Sequence, residues 1–263
     1  MYISFINFRS GLFSLLLQIV AIVLLSVGVV YLLADSLMPE GYPFYNLALL
    51  SSFLPVKPKL LRLTRAEQAK FTLSEDLKSI LVGSLLGDLC AEKLAVNVRL
   101  KFKQGIIHED YLLHLYNLFH QYCPQGTKVD RTTLNGKVHN GIYFRTYSLP
   151  CFNELYELFY PSGKKIIPEN IGEMFTPLSL AYLIADDGSF NSKYKCVILN
   201  TQCFSFEEVN LLTKVLNEKF NLDCTVNKNR NAFVIRISPK SLPILQSLLG
   251  SIIPPMMKHK IGL

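Results

Sequence analysis

The sequence lacks the cysteine and histidine spacings that hold metal ions in proteins. Its six cysteines include no Cys-x-x-Cys pair, so the sequence indicates neither a zinc site nor a disulfide framework. Its five histidines also stand at no metal-ligand spacing, which argues against a histidine-bound metal centre. The cysteines are therefore predicted to be buried free thiols in a reducing compartment. They are Cys90, Cys123, Cys151, Cys196, Cys203 and Cys224.

Acidic residues are in the minority. The chain has 20 Asp and Glu against 27 Lys and Arg, which gives a net charge of +7 and a pI near 9.0. Residues 1–68 contribute +2 of this charge, and +5 remains for the rest of the chain. The excess is a modest preference for polyanionic partners. The length of 263 residues allows one large or two small domains.

Charge is absent altogether from residues 11–34. These 24 residues exceed the ~20 that span a bilayer and are too many for a usual signal-peptide core. We expect residues 1–40 to be a hydrophobic leader that contains one helix, and residues 41–68 to be a proline-containing linker. Two alternatives stay open for the leader: a working membrane anchor, or a segment that is removed from the mature protein.

Two apolar stretches, 99 residues apart, follow nearly the same pattern. Residues 81–89 are LVGSLLGDL and residues 180–188 are LAYLIADDG, each with small residues four apart and an acid near its end. Small residues at that spacing let two helices pack closely. Asp88 and Asp187 are therefore predicted to lie side by side at the carboxyl ends of two paired helices. The alternative is two buried helices that each end in a solvated acid.

A pair of acids at two helix carboxyl ends is unfavourable without a cation. The carboxylates repel each other, and the negative ends of the helix dipoles disfavour both of them. A divalent cation removes both penalties, and Mg²⁺ prefers a few carboxylate oxygens together with water and phosphate oxygens. The motifs therefore indicate a magnesium site that involves Asp88 and Asp187.

The residues that follow each motif repeat one order of elements. In the first half, residues 96–104 alternate as a half-buried strand with a cationic face, and residues 108–122 have the apolar spacing of a helix. A hairpin with an Asn-Gly turn at residues 135–136 comes next. The second half repeats the plan, with a hairpin turn predicted at residues 228–231. One strand in each half, directly after the motif acid, has no clear signal of its own.

The predicted fold class is α+β. Residues 69–165 and 166–263 would form two pseudo-symmetric αββαββα halves, which build a saddle of antiparallel sheets with the helices on the opposite face. A capping box at residues 72–75 is predicted to start the first motif helix. Thr176 followed by Pro177 is predicted to start the second.

The two motifs resemble those of the LAGLIDADG homing endonucleases, in the single-chain form that carries two motifs. The second motif matches the family's closing acid and glycine at Asp187 and Gly188. In the first motif, Leu86 and Leu89 replace the family's first acid and final glycine. The resemblance extends over residues 69–263 and is to the subgroup that contains the yeast mitochondrial intron endonuclease. Three further stretches carry it: residues 177–182 (PLSLAY), 199–208 (LNTQCFSFEE) and 255–260 (PMMKHK).

The resemblance implies a site-specific double-strand DNA endonuclease that acts as a monomer and promotes intron mobility. It implies Mg²⁺ as the cofactor, with Mn²⁺ as a substitute, and an organelle as the location, a mitochondrion rather than a chloroplast. It further implies that the backbone carbonyls of Gly87 and Asp186 bind metal beside Asp88 and Asp187. In intron-encoded members of the family, a leader such as residues 1–40 is translated in frame with an upstream exon and later removed.

The resemblance also places a lysine near each acid. Lys165 fits one position and Lys260 the other, although a single gap would move the second assignment to Lys258 or His259. Two glutamines at strand ends are candidates for ordering water around the metals, with a plain polar strand end as the alternative. They are Gln104 and Gln202.

A curved antiparallel sheet fits the major groove of DNA, where every base pair shows a distinct pattern of donors and acceptors. Alternate residues of each strand would face the groove, and the cationic ones are the predicted DNA-binding residues; the alternative is a solvated sheet face. They are Arg99, Lys101, Lys103, Arg131, Arg145, Lys193, Lys195, Lys228, Arg230 and Arg236. Lys128 is out of phase with Arg131 and is predicted to join them through a bulge or as a phosphate contact.

Two other functions are consistent with the sequence. The family fold also serves as a maturase, which binds intron RNA and assists splicing. Alternatively, residues 11–34 make the chain a membrane protein whose remaining part is incidental. The presence of both Asp88 and Asp187 favours the nuclease, because RNA binding does not require that pair, although Leu89 at the family's glycine position weakens the point. Nuclease and maturase activities are compatible in one chain.

Overall fold

The computed structural model describes residues 63–134 and 137–263. The predicted leader, the uncharged segment 11–34 and most of the predicted linker lie outside these ranges, as does the predicted turn at residues 135–136. Within the described ranges, no helix is long and apolar enough to cross a membrane.

Two sets of elements follow each other along the chain. The first comprises α1 (Arg65–Gln68), α2 (Glu75–Leu86), β1 (Cys90–Lys93), β2 (Val98–Gly105), α3 (Glu109–Phe119), β3 (Lys128–Leu134), β4 (Lys137–Arg145) and α4 (Asn153–Phe159). The second comprises α5 (Ile171–Met174), α6 (Pro177–Asp187), β5 (Gly188–Asn191), β6 (Cys196–Leu199), α7 (Phe206–Phe220), β7 (Cys224–Asn229), β8 (Ala232–Ile237) and α8 (Leu242–Leu249). The order αββαββα runs from α2 to α4 and again from α6 to α8, which confirms the predicted α+β plan with two repeated halves.

The two motif helices begin at side-chain caps. Thr176 and Ser179 cap α6 reciprocally, with Pro177 in the first turn, as predicted. For α2 the predicted capping box at residues 72–75 is wrong, because the cap is Ser74, whose hydroxyl accepts from the Leu77 amide. Helix α2 therefore starts within the predicted box, and the acids Glu75 and Asp76 in its first turn favour the positive end of its dipole.

Each half contains one antiparallel four-stranded sheet. The strand order is β1-β2-β4-β3 in the first sheet and β5-β6-β8-β7 in the second. On β2 the apolar residues Val98, Leu100 and Phe102 are buried, and Phe102 packs against Phe119 of α3. The predicted strand started two residues too early, because Val96 precedes β2 and is 68% exposed. Helices thus cover one face of the sheet, and no helix in the described part of the chain covers the opposite, cationic face, which is called the free face below.

Helices α2 and α6 pack against each other along their small residues. A Cβ atom on Gly83 would lie 2.1 Å from the Ser179 carbonyl oxygen, and one on Gly87 would lie 2.5 Å from the Cβ of Asp186. From the first contact to the second, the residue numbers rise along both helices, from Gly83 to Gly87 and from Ser179 to Asp186. The helices are therefore parallel, and their carboxyl ends meet. This pairing joins the two halves through one continuous apolar core.

The six cysteines are free, but they are not all buried as predicted. Cys196 and Cys224 are buried, Cys123 and Cys151 are partly buried, and the other two, Cys90 and Cys203, are exposed. Burial raises the pKa of the Cys123 and Cys224 thiols to about 12, which keeps them protonated at neutral pH. The prediction of six buried thiols is therefore wrong for Cys90 and Cys203. Cys90 opens the edge strand β1, where alternate side chains face solvent.

Candidate active site

The carboxyl ends of α2 and α6 bring three acids together. Asp187 is the last residue of α6, whereas Asp88 lies one residue beyond Gly87, the C-cap of α2. The Asp88 amide donates to Oδ2 of Asp186 over 3.3 Å, so the ends of the two motifs touch. Asp88 is exposed, and Asp186 and Asp187 are partly buried. The sequence had indicated two acids here, and the Asp186 side chain adds a third.

The Asp186 carboxylate lies in the helix interface rather than in solvent. Its Oδ1 accepts from the Tyr111 hydroxyl over 2.8 Å, and Tyr111 is fully buried in α3. Burial, with the nearby charge of Asp88 as the second cause, raises the pKa of Asp186 to about 8. The same two causes raise the pKa of Asp187 to about 6. Protonation of these acids at low pH therefore stabilises the folded chain when no cation is bound.

The raised pKa of Asp186 gives a measurable pH dependence of stability. Because the pKa is higher in the folded than in the unfolded state, stability contributed by this group falls as pH rises from about 4 towards about 8. We expect Asp186→Asn, which stays neutral, to gain stability over the native chain by up to about 1.4 kcal/mol per pH unit in that window. Urea unfolding without divalent cations at pH 5, 6.5 and 8 measures this. A stability difference that does not change with pH would contradict it.

Two lysines sit against the ends of the motif helices in matching ways. Lys165 Nζ donates to the carbonyls of Gly87 (2.7 Å) and Leu89 (2.9 Å). Lys260 Nζ donates to the carbonyls of Ala185 (2.6 Å) and Asp186 (2.9 Å). Burial lowers the pKa of both amines, although the acids beside them oppose this.

Of the three alternatives in the C-terminal segment, Lys260 is the residue that reaches the motif. It belongs to a 3₁₀ segment, Pro255–Ile261, whose end is fixed by Gln246: Nε2 of this side chain donates to the Ile261 carbonyl over 2.8 Å. His259 instead makes a local contact from Nδ1 to the Met256 carbonyl.

The two glutamines are not equivalent. Gln104 Nε2 donates to Oδ2 of Asp88 over 2.9 Å, whereas Gln202 Nε2 donates to Oδ1 of Asn200 over 3.3 Å. Asn200 in turn holds the Asp187 carbonyl, through its backbone amide (3.0 Å) and its side-chain amide (2.9 Å). Gln104 thus contacts a motif acid directly, and Gln202 reaches the other motif only through Asn200.

The free face of the first sheet carries five of the eleven predicted cations: Arg99, Lys101, Lys103, Lys128 and Arg145. Lys101 pairs with Arg145 and Lys103 with Tyr143, and both cross-strand pairs lie on the face opposite the buried Phe102. The nitrogen of Lys101 and the guanidinium carbon of Arg145 lie 5.7 and 5.2 Å from the centre of the Tyr143 ring. Two cations of this face are paired with acids, Arg99 with Glu92 and Lys103 with Asp130.

The predicted phase of β3 is wrong. Lys128 pairs directly with Tyr143, so it shares the cationic face without a bulge. Arg131, which pairs with Asn140, comes three residues after Lys128 along β3. Because successive side chains of a strand alternate between faces, Arg131 lies on the face opposite Lys128.

In the second sheet, Arg236 is the predicted cation that lies within a strand on the free face. It pairs with Ile198 and Thr225, opposite the buried face that includes Ile235 and Ile237. The other four cations predicted for this half were expected on the DNA-facing side of a strand, and this prediction is wrong for each of them. Lys193 and Lys195 lie in the turn between β5 and β6, Arg230 lies in the two-residue β7–β8 turn, and Lys228 pairs with Phe233 on the opposite face.

The described residues contain no cluster of three or more His, Cys, Asp or Glu side chains arranged to hold a metal ion. The donor set at the helix ends nevertheless suits a hard cation, because it combines carboxylates with backbone carbonyls. The carbonyls of Gly87 and Asp186 each accept one lysine hydrogen bond. A carbonyl oxygen has two lone pairs, so each retains one for a further partner.

The fold and site define a single chain with two αββαββα halves, joined by two motif helices that end in neighbouring acids. Such a chain belongs to the LAGLIDADG DNA endonuclease family, whose profile matches residues 78–245.

Relatives and a solved structure agree with this membership. The chain is 35% identical over 205 residues to the cytochrome b mRNA maturase bI2 of Saccharomyces cerevisiae, covering 72% of this chain and 48% of the maturase. It is 34% identical over 200 residues to the probable intron-encoded endonuclease 1 of Wickerhamomyces canadensis, covering 72% of this chain and 85% of that protein. The chain therefore spans about half the length of the first relative and most of the second.

The solved structure is that of the homing endonuclease I-WcaI bound to its DNA recognition sequence. It superposes with a TM-score of 0.68 at 30% sequence identity, over 73% of this chain and 88% of the endonuclease.

Proposed function

We propose that this chain is a site-specific double-strand DNA endonuclease that promotes intron mobility. The observation that carries the proposal is the meeting of Asp88 and Asp187 at the ends of the two motif helices, with a partly buried lysine beside each motif. The names of the Wickerhamomyces canadensis relative and of I-WcaI support the same activity. The chain would act as a monomer, because it carries both motifs itself.

We propose Mg²⁺ as the cofactor, with Mn²⁺ as a substitute. Asp88 and Asp187 would hold the ions, and the carbonyls of Gly87 and Asp186 would complete the protein ligands. When bound, the ions would make a water molecule more acidic and neutralise charge on the phosphate.

The other residues of the site suit the displacement at phosphorus. The oxygen of the attacking water would form a bond to phosphorus as the water gives up a proton to solvent. The bond from phosphorus to the 3′ oxygen would break, and that oxygen would take a proton from solvent, which leaves a 3′ hydroxyl and a 5′ phosphate. Gln104, whose side-chain amide donates to Asp88, would orient a water at the first motif. The amines of Lys165 and Lys260 contact the carbonyls of Leu89 and Asp186, which are next to the motif acids in the chain. These two amines would stabilise the negative charge that grows on the phosphoryl oxygens.

We propose that the cationic face of the first sheet binds the DNA backbone and base edges, so removing one of its cations should weaken binding. We expect Lys101→Ala to lower affinity several-fold and to reduce the slope of log affinity against log salt by about 1. Binding titrations from 50 to 200 mM salt, of the order used for such slopes, provide the measurement.

The matched control is Lys214→Ala. Lys214 is an exposed lysine on α7, and α7 covers the opposite face of the second sheet, where its Phe206 packs on Phe233. The two variants lose the same charge, so an equal fall in affinity for both would show that only net charge matters.

The second candidate function is that of a maturase. Two relatives, from Saccharomyces cerevisiae and Debaryomyces hansenii, are named cytochrome b mRNA maturase bI2, at 35% and 34% identity. These names also support an intron-encoded origin in an organelle, for which we propose the mitochondrion rather than the chloroplast. Intron RNA would then be a second partner of the same chain. Membrane association through residues 11–34, or removal of that segment, stays a prediction from the sequence.

The deciding experiment is cleavage of a randomised DNA library by the full chain. With Mg²⁺ we expect double-strand breaks with short 3′ overhangs at one sequence, and none with a chelator. The parent intron RNA is titrated in parallel. Absence of any cleavage, together with tight and specific RNA binding, would replace the endonuclease with the maturase.

A further inference from the structure

The two motif acids are held in place by different means. Asp187 is a residue of α6, and its carbonyl accepts two hydrogen bonds from Asn200. Asp88 lies beyond the end of α2, because the C-cap Gly87 has a non-helical conformation with φ −101° and ψ −132°. The helical hydrogen-bond pattern therefore does not fix the backbone of Asp88. Its amide proton is held by Asp186, a residue of the other motif.

The contact is asymmetric because the two motifs differ at one position. Asp186 and Gly87 both stand directly before the motif acid. Gly87 has no side chain, and a Cβ there would lie 2.8 Å from Oδ2 of Asp186, so the Asp186 carboxylate uses the space that the glycine leaves. The first motif consequently offers no side chain that could hold Asp187 in return.

Tyr111 anchors this contact to the first sheet. Its hydroxyl donates to Asp186 Oδ1 over 2.8 Å, and its ring is fully buried. Tyr111 belongs to α3, which packs on β2, the strand that ends beside Gln104. A chain of contacts therefore runs from Tyr111 through Asp186 to the backbone of Asp88, and Gln104 holds the Asp88 carboxylate from the other side.

We propose that the Asp186 side chain, anchored by Tyr111, is a positioning residue for Asp88, and that it makes the two cleavage sites depend on different contacts. This inference rests on the proposed endonuclease function. If each motif acid serves mainly one scissile phosphate, loss of the Asp186 contact slows the cleavage of one DNA strand more than the other. A displacement of about 1 Å in a reacting group can cost roughly 100-fold in rate.

The test is strand-specific cleavage of a supercoiled plasmid by the full chain, with each strand labelled. For Asp186→Ala we expect one strand to be cut about 100-fold more slowly while the other changes far less, so nicked circles accumulate. Tyr111→Phe removes only the anchoring hydroxyl and should give the same strand preference with an effect of about tenfold. Equal slowing of both strands by Asp186→Ala would overturn the proposal.

Asp186→Asn and Tyr182→Phe separate positioning from other effects. An asparagine oxygen can still accept from the Asp88 amide while its NH₂ group donates to the Tyr111 oxygen, so Asn should restore the balance between strands. If Asn is as unbalanced as Ala, the charge of Asp186 matters and positioning is refuted. Tyr182→Phe removes a comparable hydroxyl from the same helix interface, where it contacts His114 over 2.8 Å, and should leave both strands unchanged.

Hydrogen exchange at the Asp88 amide gives a result that needs no cleavage. We expect slow exchange in the native chain and in Asp186→Asn, and fast exchange in Asp186→Ala. Fast exchange in the native chain would refute the contact. A native chain that exchanges slowly but cuts no DNA would refute the endonuclease function and leave the Asp186 contact standing.

Discussion

Asp187→Asn is expected to abolish DNA cleavage and to leave DNA binding nearly unchanged. Asparagine has the same shape as aspartate but cannot supply the negative charge that balances a divalent cation. Loss of several kcal/mol of charge stabilisation in the transition state corresponds to a rate reduction on the order of 1,000-fold or more. DNA affinity should rise slightly or stay level, because the substitution removes one negative charge from the face that meets the phosphates.

Single-turnover cleavage and DNA binding should be measured together on the native chain, Asp88→Asn and Asp187→Asn. The two substitutions are matched, since each removes one motif acid. Asp76→Asn is the charge-matched control, because Asp76 lies in the first turn of α2, at the end of the helix away from the site. Loss of binding in either motif variant would mean that the acids maintain the interface rather than the chemistry.

The sequence predicted the order of elements because the longer ones have a clear period. Helices α3 and α7 bury Leu112, Leu115, Leu212 and Leu216 at helical spacing, as an amphipathic pattern requires. Strands β1 and β5 have four residues each, which is too short for an alternation to be distinguished from chance. These two strands were predicted only because the repeated order of elements requires a strand directly after each motif.

The faces of the hairpin strands were harder to predict, because the turn sets the register. The prediction gave the β7–β8 hairpin a four-residue turn at residues 228–231, whereas the strands continue to Asn229 and resume at Ala232. The turn is therefore Arg230 and Asn231, with Arg230 at φ +56°. Lys228 therefore lies within β7, where strand alternation puts it on the same face as Val226, the partner of the buried Ile235.

The candidate site was predictable in its motif acids and not in its supporting contacts. Asp88 and Asp187 are marked by repetition of a pattern, which needs no tertiary information. Tyr111 and Asn200 are separated from the acids they support by 75 and 13 residues and stand in neither of the two repeated motifs. Lys260 is selected over its neighbours by the packing of the C-terminal 3₁₀ segment. Such contacts depend on the folded chain, so a local pattern cannot reveal them.

Gly83→Ala is expected to destabilise the fold strongly, although alanine is the better helix former. A Cβ on Gly83 would lie 2.1 Å from the carbonyl oxygen of Ser179, and backbone cannot rotate away as a side chain can. Helices α2 and α6 must then separate, and both belong to the core that joins the two halves. We expect a loss of about 3 kcal/mol, which for a domain of this size lowers the melting temperature by about 10 °C.

The control for that loss is Gly172→Ala in helix α5. There the new Cβ would meet only Val215 Cγ2 at 3.4 Å, an ordinary contact, so the change should be neutral or stabilise by up to about 1 kcal/mol. The two substitutions are chemically identical and both glycines are helical, so helix propensity cancels between them. Any difference in melting temperature measures the helix–helix contact itself. If Gly83→Ala proved as stable as Gly172→Ala, the two motif helices could not be packed backbone to backbone, and the geometry that brings Asp88 to Asp187 would lose its support.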